Sequence, residues 1–317
     1  MGFILNNKVS QAGDGNGGFL NLNVSSGPPY VPNYPSGLSG ISGLLGWYDS
    51  STANTSSILD GGGNVVSNGS SVATWKNLFL GATLGAVHLP DFIVNPFGTN
   101  PSYSTSQKYG PNQLTGNPHP GIVFDGTSSV LQIADSSLVS LGTTFTWFYA
   151  TPATFSVTSA SGSVIAMSDT AEFYANSVQQ LSGGFTDPSF GAINDLFGAG
   201  VATKGGNKIS SMAQCGYVTI PSGIVLGLSV YYDGTVYRAD NSLTQSLTFI
   251  GLNQASSIAI PHPNPWNFLS LGGMYYSDGT LLNNFFAGPI GEVLVYQGTP
   301  TAQNVKDILQ YLITRWS

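Results

Sequence analysis

The sequence predicts an all-β fold: a two-sheet antiparallel sandwich of the jelly-roll kind, with one C-terminal α-helix and an extended N-terminal arm. Three observations point there. Short runs rich in Val, Ile, Phe, Tyr and Thr recur along the chain, and these residues fit a pleated, half-buried surface. Asp-Gly recurs at Asp60, Asp125, Asp233 and Asp278, and both positions of that pair tolerate the positive φ that tight hairpins need. Charged residues make up only 7% of 317 residues, against roughly 25% in an average soluble domain. A helical bundle needs Glu and Lys on its outer faces, and this chain cannot supply them.

The elements follow in chain order. Residues 1–40 differ from the rest. Pro28, Pro29, Pro32 and Pro35 stand among Gly, Ser and Asn with no periodicity. This stretch reads either as an extended arm lying on another surface or as a disordered tail. Residues 41–317 form one jelly-roll domain. Ile122-Val123-Phe124 and Val130-Leu131-Gln132-Ile133 flank an Asp-Gly turn. Residues 145–149, 224–230, 247–250 and 290–296 are further strand candidates. The three Asp-Gly-Thr copies are unequally spaced with unlike flanks, so they are turn chemistry and not a repeat. Residues 183–206 are Gly-rich and aperiodic, and inserted loops are expected around 150–222. At the end Thr301 is a good N-cap. Val305, Ile308, Leu309, Leu312 and Trp316 follow at helical spacing. That apolar stripe should lie against a sheet edge or rim.

Composition excludes several functions. Eight Lys and Arg, a net charge of −7 and a pI near 4.5 give no basic stripe for a nucleic-acid partner. The longest apolar stretches, 78–87 and 224–230, are broken by Gly and Ser and fall short of a membrane span. The N-terminus has only Phe3, Ile4 and Leu5 as an apolar run, too short for a signal peptide. Cys215 is the only cysteine, so no disulfide forms within the chain, and it reads as a buried inert thiol. The mean hydropathy of +0.11 reflects either a large core or apolar surface buried against partner chains.

Several blocks together resemble a known family. They are Leu45-Gly46-Trp47-Tyr48-Asp49, Val72-Ala73-Thr74-Trp75-Lys76-Asn77, Asn100-Pro101-Ser102-Tyr103, and Asn117-Pro118 leading into Val123-Phe124-Asp125-Gly126. Phe286-Ala287-Gly288-Pro289-Ile290-Gly291-Glu292 and the closing helix with Arg315-Trp316 complete the set. Their order is similar to that of the laminin-G-like branch of the concanavalin A-like lectin/glucanase superfamily, in its bacterial and phage form. The resemblance implies a two-sheet jelly roll that binds glycan or protein on loops or a concave face. It also implies a calcium ion at a loop rim, for which Asp49, Asp125, Asp187 and Asp195 are candidates. The same aspartates also read as turn-forming or capping residues.

Chemistry is sparse. The superfamily's glucanases carry Glu-x-Asp-x-Glu on one strand, which this chain lacks; its only glutamates are Glu172 and Glu292. Glycoside hydrolysis needs two facing carboxyls, so no enzyme activity is expected. His88, His119 and His262 sit in Pro-rich contexts without a nucleophile elbow. For sugar binding the best loop runs through His262, Asn264 and Trp266, with Tyr275 and Tyr276 beside the following Asp-Gly turn. Trp266 either stands outward there or fills the end of the sandwich.

The expectation is a non-enzymatic bacteriophage virion protein: a capsid decoration, head-fibre or tail-fibre component. It would be homo-oligomeric, joined to other virion proteins through residues 1–40, with a lectin-like domain for adhesion to a cell-surface glycan or for shell reinforcement. The alternatives are a secreted or cell-surface bacterial glycan-binding module and a glycoside hydrolase of the same superfamily.

Overall fold

The computed structural model describes residues 34–79, 88–109, 117–134, 145–152, 162–168, 173–180, 186–187, 191–192, 196–205, 208–219, 225–232, 237–242, 249–252, 268–273, 285–298 and 300–316. They form an all-β sandwich with one C-terminal helix. The first sheet has six antiparallel strands, ordered Leu44–Asp49, Glu292–Gln297, Phe145–Pro152, Val225–Tyr232, Tyr237–Ser242 and Phe249–Leu252. The second has nine. From one edge to the other they are Lys208–Thr219, Leu196–Gly205, Phe173–Gln180, Gly162–Ser168, Phe268–Leu271, Leu131–Ala134, Phe92–Val94, Thr74–Trp75 and Ile58–Leu59. A three-stranded sheet of Ala287–Ile290, His119–Asp125 and Ser102–Gln107 lies beside them, with a short pair of Thr186–Asp187 and Gly191–Ala192.

The first three strands of the six-stranded sheet are apolar on both faces because both faces are covered. Register puts Tyr48 beside Val293, and Val293 beside Tyr149. On that face the Tyr48 ring packs on Phe92 at 4.5 Å and on Trp75 at 6.1 Å, so it meets the inner face of the nine-stranded sheet. The opposite face carries Trp47, Leu294 and Phe148 in one cross-strand row. These pack with Val305, Ile308, Leu309, Leu312 and Trp316 of the helix. A strand buried on both sides needs a continuous apolar run in place of alternation, which is why residues 44–49 are buried throughout.

The helix runs Ala302–Trp316. Thr301 caps it: its Oγ1 accepts from the Asn304 N–H at 3.2 Å and its carbonyl from Val305 N–H at 2.9 Å. The five residues picked out by spacing are the five that are buried. The stripe covers the sheet's face, where the sequence suggested an edge, because the strands beneath it are apolar on that side too.

The expected strand over 290–296 is two strands in two sheets. Ala287–Ile290 pairs with His119–Asp125, and Glu292–Gln297 pairs with Leu44–Asp49 and Phe145–Pro152. The chain changes sheet at Gly291, which donates to the Ala150 carbonyl and accepts from Ser50 N–H. A Cβ there would lie 2.7 Å from the Trp316 ring, so the helix's last aromatic takes the space a side chain would need. Within 150–222, where loops were expected, the described residues are largely strands that extend the nine-stranded sheet from Gly162–Ser168 to Lys208–Thr219. Cys215 lies in the outermost of these, opposite Ala199.

Candidate functional site

Asp49 and Asp125, the calcium candidates whose side chains are described, both accept from hydrogen-bond donors. Asp49 ends its strand beside Glu292. Its Oδ1 accepts from Ser51 N–H at 2.8 Å, and its Oδ2 pairs with the Arg315 guanidinium. A cation already stands where calcium would. Glu292 is fully buried and collects three hydrogen-bond donors and an ion pair. Its Oε1 accepts from Trp47 Nε1 at 2.7 Å and Tyr311 OH at 2.8 Å. Its Oε2 accepts from Trp316 Nε1 at 2.7 Å, with Arg315 Nε 3.3 Å away. Burial and the neighbouring Asp49 charge push the Glu292 carboxyl up to about 7, against the opposing pull of Arg315. Two adjacent carboxyls are what glycoside hydrolysis uses, but both are 0% exposed. Their geometry fastens the helix to the sheet.

Asp187 lies in the short strand Thr186–Asp187, across from Gly191. Asp195, His262, Asn264, Trp266, Tyr275, Tyr276 and Glu172 lie outside the described residues. Among the described residues no three His, Cys, Asp or Glu side chains gather as metal ligands do.

Asp125 belongs to a different kind of site. It closes the strand His119–Asp125, and Gly126 follows with φ of 73°. Asp125 Oδ1 accepts from the N–H groups of Thr127, Ser128 and Ser129 at 2.8, 2.8 and 2.9 Å, and from Ser129 Oγ at 2.9 Å. Oδ2 accepts from Ser128 Oγ at 2.9 Å, with Thr99 Oγ1 at 3.5 Å. Partial burial works to raise its pKa. The backbone donors of Ser128, Thr127 and Ser129 outweigh it and hold the carboxyl well below the usual carboxylate range. Asp125 is therefore an exposed, permanent anion that organises its own turn.

A second turn is locked onto the first. In Asn95-Pro96-Phe97-Gly98, the Asn95 side chain accepts from Phe97 N–H at 2.8 Å and its carbonyl from Gly98 N–H at 3.0 Å. The next residue, Thr99, donates its N–H to the Ser128 carbonyl at 2.9 Å, and its hydroxyl lies 2.8 Å from Ser128 Oγ. A Cβ on Gly98 would stand 2.9 Å from the Ser128 carbonyl, so only glycine lets the turns meet this closely. Beneath them Asn95 Nδ2 donates to Gln132 Oε1 at 2.7 Å, a buried amide pair that anchors the platform to the nine-stranded sheet. On top, Phe97 is 63% exposed, the most exposed large apolar side chain among the described residues. Thr99, Asn100, Asp125 and Thr127, on or flanking the same two turns, are exposed as well.

An exposed aromatic that shares a rigid pair of turns with exposed hydroxyl, amide and carboxylate groups is the chemistry that grips a sugar: a ring stacks on the aromatic and its hydroxyls bond to the polar groups. Sequence reasoning selected Asp125, as a calcium ligand, and missed Phe97. The signal was there: an aromatic between Pro96 and Gly98 in a turn is the same cue that singled out Trp266 after Pro265.

No family model matches the chain, and no curated protein matches it. Solved structures do. An arabinofuranosidase complexed with arabinofuranosyl-xylobiose is similar with a TM-score of 0.51 at 8% identity, covering 78% of this chain and 51% of that one. An arabinofuranosidase mutant soaked with 4-nitrophenyl arabinofuranoside gives 0.51 at 11% identity, with the same coverages. A domain of an extracellular arabinanase from Geobacillus stearothermophilus, in complex with arabinotriose, aligns over 85% of this chain and 100% of that one, with a TM-score of 0.43 at 13% identity. This chain spans about half the length of the two arabinofuranosidases. At these identities the likeness is one of β-sandwich fold.

Proposed function

We propose that this protein is a non-enzymatic glycan-binding β-sandwich of the laminin-G-like kind, serving as an adhesive or shell-reinforcing component of a bacteriophage particle. The observation that carries the binding reading is the double turn: Phe97 outward at 63% exposure, on a base whose two turns are bonded through Thr99 and Ser128. A preorganised platform loses little entropy when a ligand docks. The reading of the protein as non-enzymatic is supported by the use of Asp49 and Glu292 in holding Arg315, Trp47 and Trp316. The particle reading is supported by a chain with 7% charged residues, whose neutral Ser, Thr, Asn and Gly suit dense packing against neighbours.

The test of binding is a glycan array probed with the full chain and with Phe97→Ala. The wild-type chain is expected to retain a defined set of glycans. The variant should bind them about tenfold more weakly, as loss of one stacking contact of ~1.4 kcal/mol implies, with an unchanged melting temperature. An array without hits overturns the binding reading. For the particle, light scattering should show a homo-oligomer and purified virions should contain the chain. A monomer absent from particles overturns that part.

A further inference from the structure

The double turn has a hydrogen-bond polarity that narrows its ligand, given the glycan-binding reading on which this inference rests. Asp125 is ionised and can only accept. Ser128 has one hydroxyl proton, and the carboxylate oxygen 2.9 Å away takes it. Of the pair Thr99 and Ser128, 2.8 Å apart, Thr99 must then be the donor, because the Ser128 proton is committed. Thr99 Oγ1 is left with lone pairs and no proton. Asp125 Oδ1 already takes four donors, whereas Oδ2 takes one at hydrogen-bond length and keeps acceptor capacity. On the double turn that carries Phe97, Asp125 Oδ2 and Thr99 Oγ1 are therefore left as acceptors with no hydrogen to offer.

Charge acts in the same direction. Among the described residues none of the seven cations lies on the two turns; Lys204, Lys208 and Arg238 are in the strands Leu196–Gly205, Lys208–Thr219 and Tyr237–Ser242. Lys108 follows Gln107, which pairs with His119 at the opposite end of the strand that Asp125 closes. Lys76 follows Trp75, which pairs with Phe92, while Phe97 lies beyond the other end of the strand Phe92–Val94. Lys306 and Arg315 are on the helix. An anionic sugar would meet an unneutralised carboxylate and bring no hydrogens to its acceptors.

We propose that the double turn takes neutral or amino-bearing sugars, through hydroxyl or ammonium hydrogens donated to Asp125 Oδ2 and Thr99 Oγ1 while the ring stacks on Phe97, and rejects sialylated, uronate and sulfated glycans. The test is an array holding both classes, read at low and at physiological salt with wild type, Phe97→Ala, Asp125→Asn and Thr99→Val. Hits confined to neutral and amino glycans are expected at both salts. Asp125→Asn should weaken them about tenfold, since a charge-assisted bond becomes a neutral one, while Asn keeps the turn's backbone acceptor. Thr99→Val should give a similar loss without touching the carboxylate, and stands in if Asp125→Asn does not fold. Acidic glycans captured by wild type and released by Phe97→Ala would overturn the ligand class and leave the binding reading intact. Binding unaffected by both Asp125→Asn and Thr99→Val would overturn the acceptor assignment. An array with no hits overturns the binding reading and this inference with it.

Discussion

Replacing Glu292 by Leu is expected to lower stability by about 3–5 kcal/mol, the usual cost of breaking a buried ion pair from one side. The carboxylate is the common acceptor for Trp47, Trp316 and Tyr311 and lies within 3.3 Å of Arg315 Nε. Leu has no acceptor, so two buried indole donors and the half-buried Tyr311 hydroxyl lose their partner together, at about 1–3 kcal/mol for each one that stays dry, before relaxation. Urea unfolding should show a lower midpoint with the slope unchanged. The same variant carries a pH signature. Glu292 titrates near 7 in the folded protein and near its ordinary 4.5 unfolded. Between those values the folded state binds the proton more tightly, so the contribution is present at low pH and is lost as pH rises through 7. Wild-type stability should fall from pH 5 to pH 8, by at most about 1.4 kcal/mol per unit, and Glu292→Leu should remove that slope. A slope retained in the variant would assign the titration elsewhere.

Asn77→Ala is expected to cost at least about 3 kcal/mol, although the residue is half-buried and far from any ligand. Its side chain uses all its hydrogen-bonding capacity. Oδ1 accepts from Trp47 N–H and Phe79 N–H, both at 2.9 Å. Nδ2 donates to the carbonyls of Leu45 at 3.0 Å and Leu89 at 2.7 Å. Leu44–Asp49 is the edge strand of its sheet, and an edge must be covered or it pairs with another chain. Asn77 covers it, joined by Leu78 N–H to the Trp47 carbonyl and Leu89 N–H to the Leu45 carbonyl. Truncation takes this partner from Trp47 N–H, Phe79 N–H and the Leu89 carbonyl, while the Leu45 carbonyl keeps Leu89 N–H, at about 1–3 kcal/mol for each group that stays dry. Asn77→Asp is the control. It keeps the volume and the two accepted bonds but turns an oxygen toward two carbonyls, so urea unfolding should show it destabilised as well. If Asp matches wild type, the amide donors contribute nothing.

These residues show what was legible in the chain. Val72-Ala73-Thr74-Trp75-Lys76-Asn77 is one of the blocks that carry the family resemblance, but nothing in its composition says that its Asn serves as a surrogate strand for residues 45–47. Glu292 was placed on a closing strand, and its partner Asp49 was read as a calcium candidate. Both statements were local. Arg315, 266 residues from Asp49 in the chain, supplies the cation that changes the meaning of each. The break at Gly291 was likewise hidden, because the space that forbids a side chain there is filled by Trp316.

The sequence by itself determined the C-terminal helix, the Asp-Gly turn at Asp125 and strands such as Phe145–Pro152 and Val225–Tyr232. Each depends on neighbours within a few residues: apolar runs, Asp-Gly pairs, a Thr cap and a 3.6-residue stripe. It also determined the neutral surface, since composition alone limits how many charges there are to place. Tertiary structure alone decided which polar groups are spent and which remain to act. Asp49 and Asp125 are the same residue type and equal candidates in the sequence. Folding buries one against a distant arginine and leaves the other exposed, on the pair of turns that carries Phe97. Which of them can meet a ligand is a matter of what packs across from it, and contacts between residues far apart in the chain exist only once the sheets have closed.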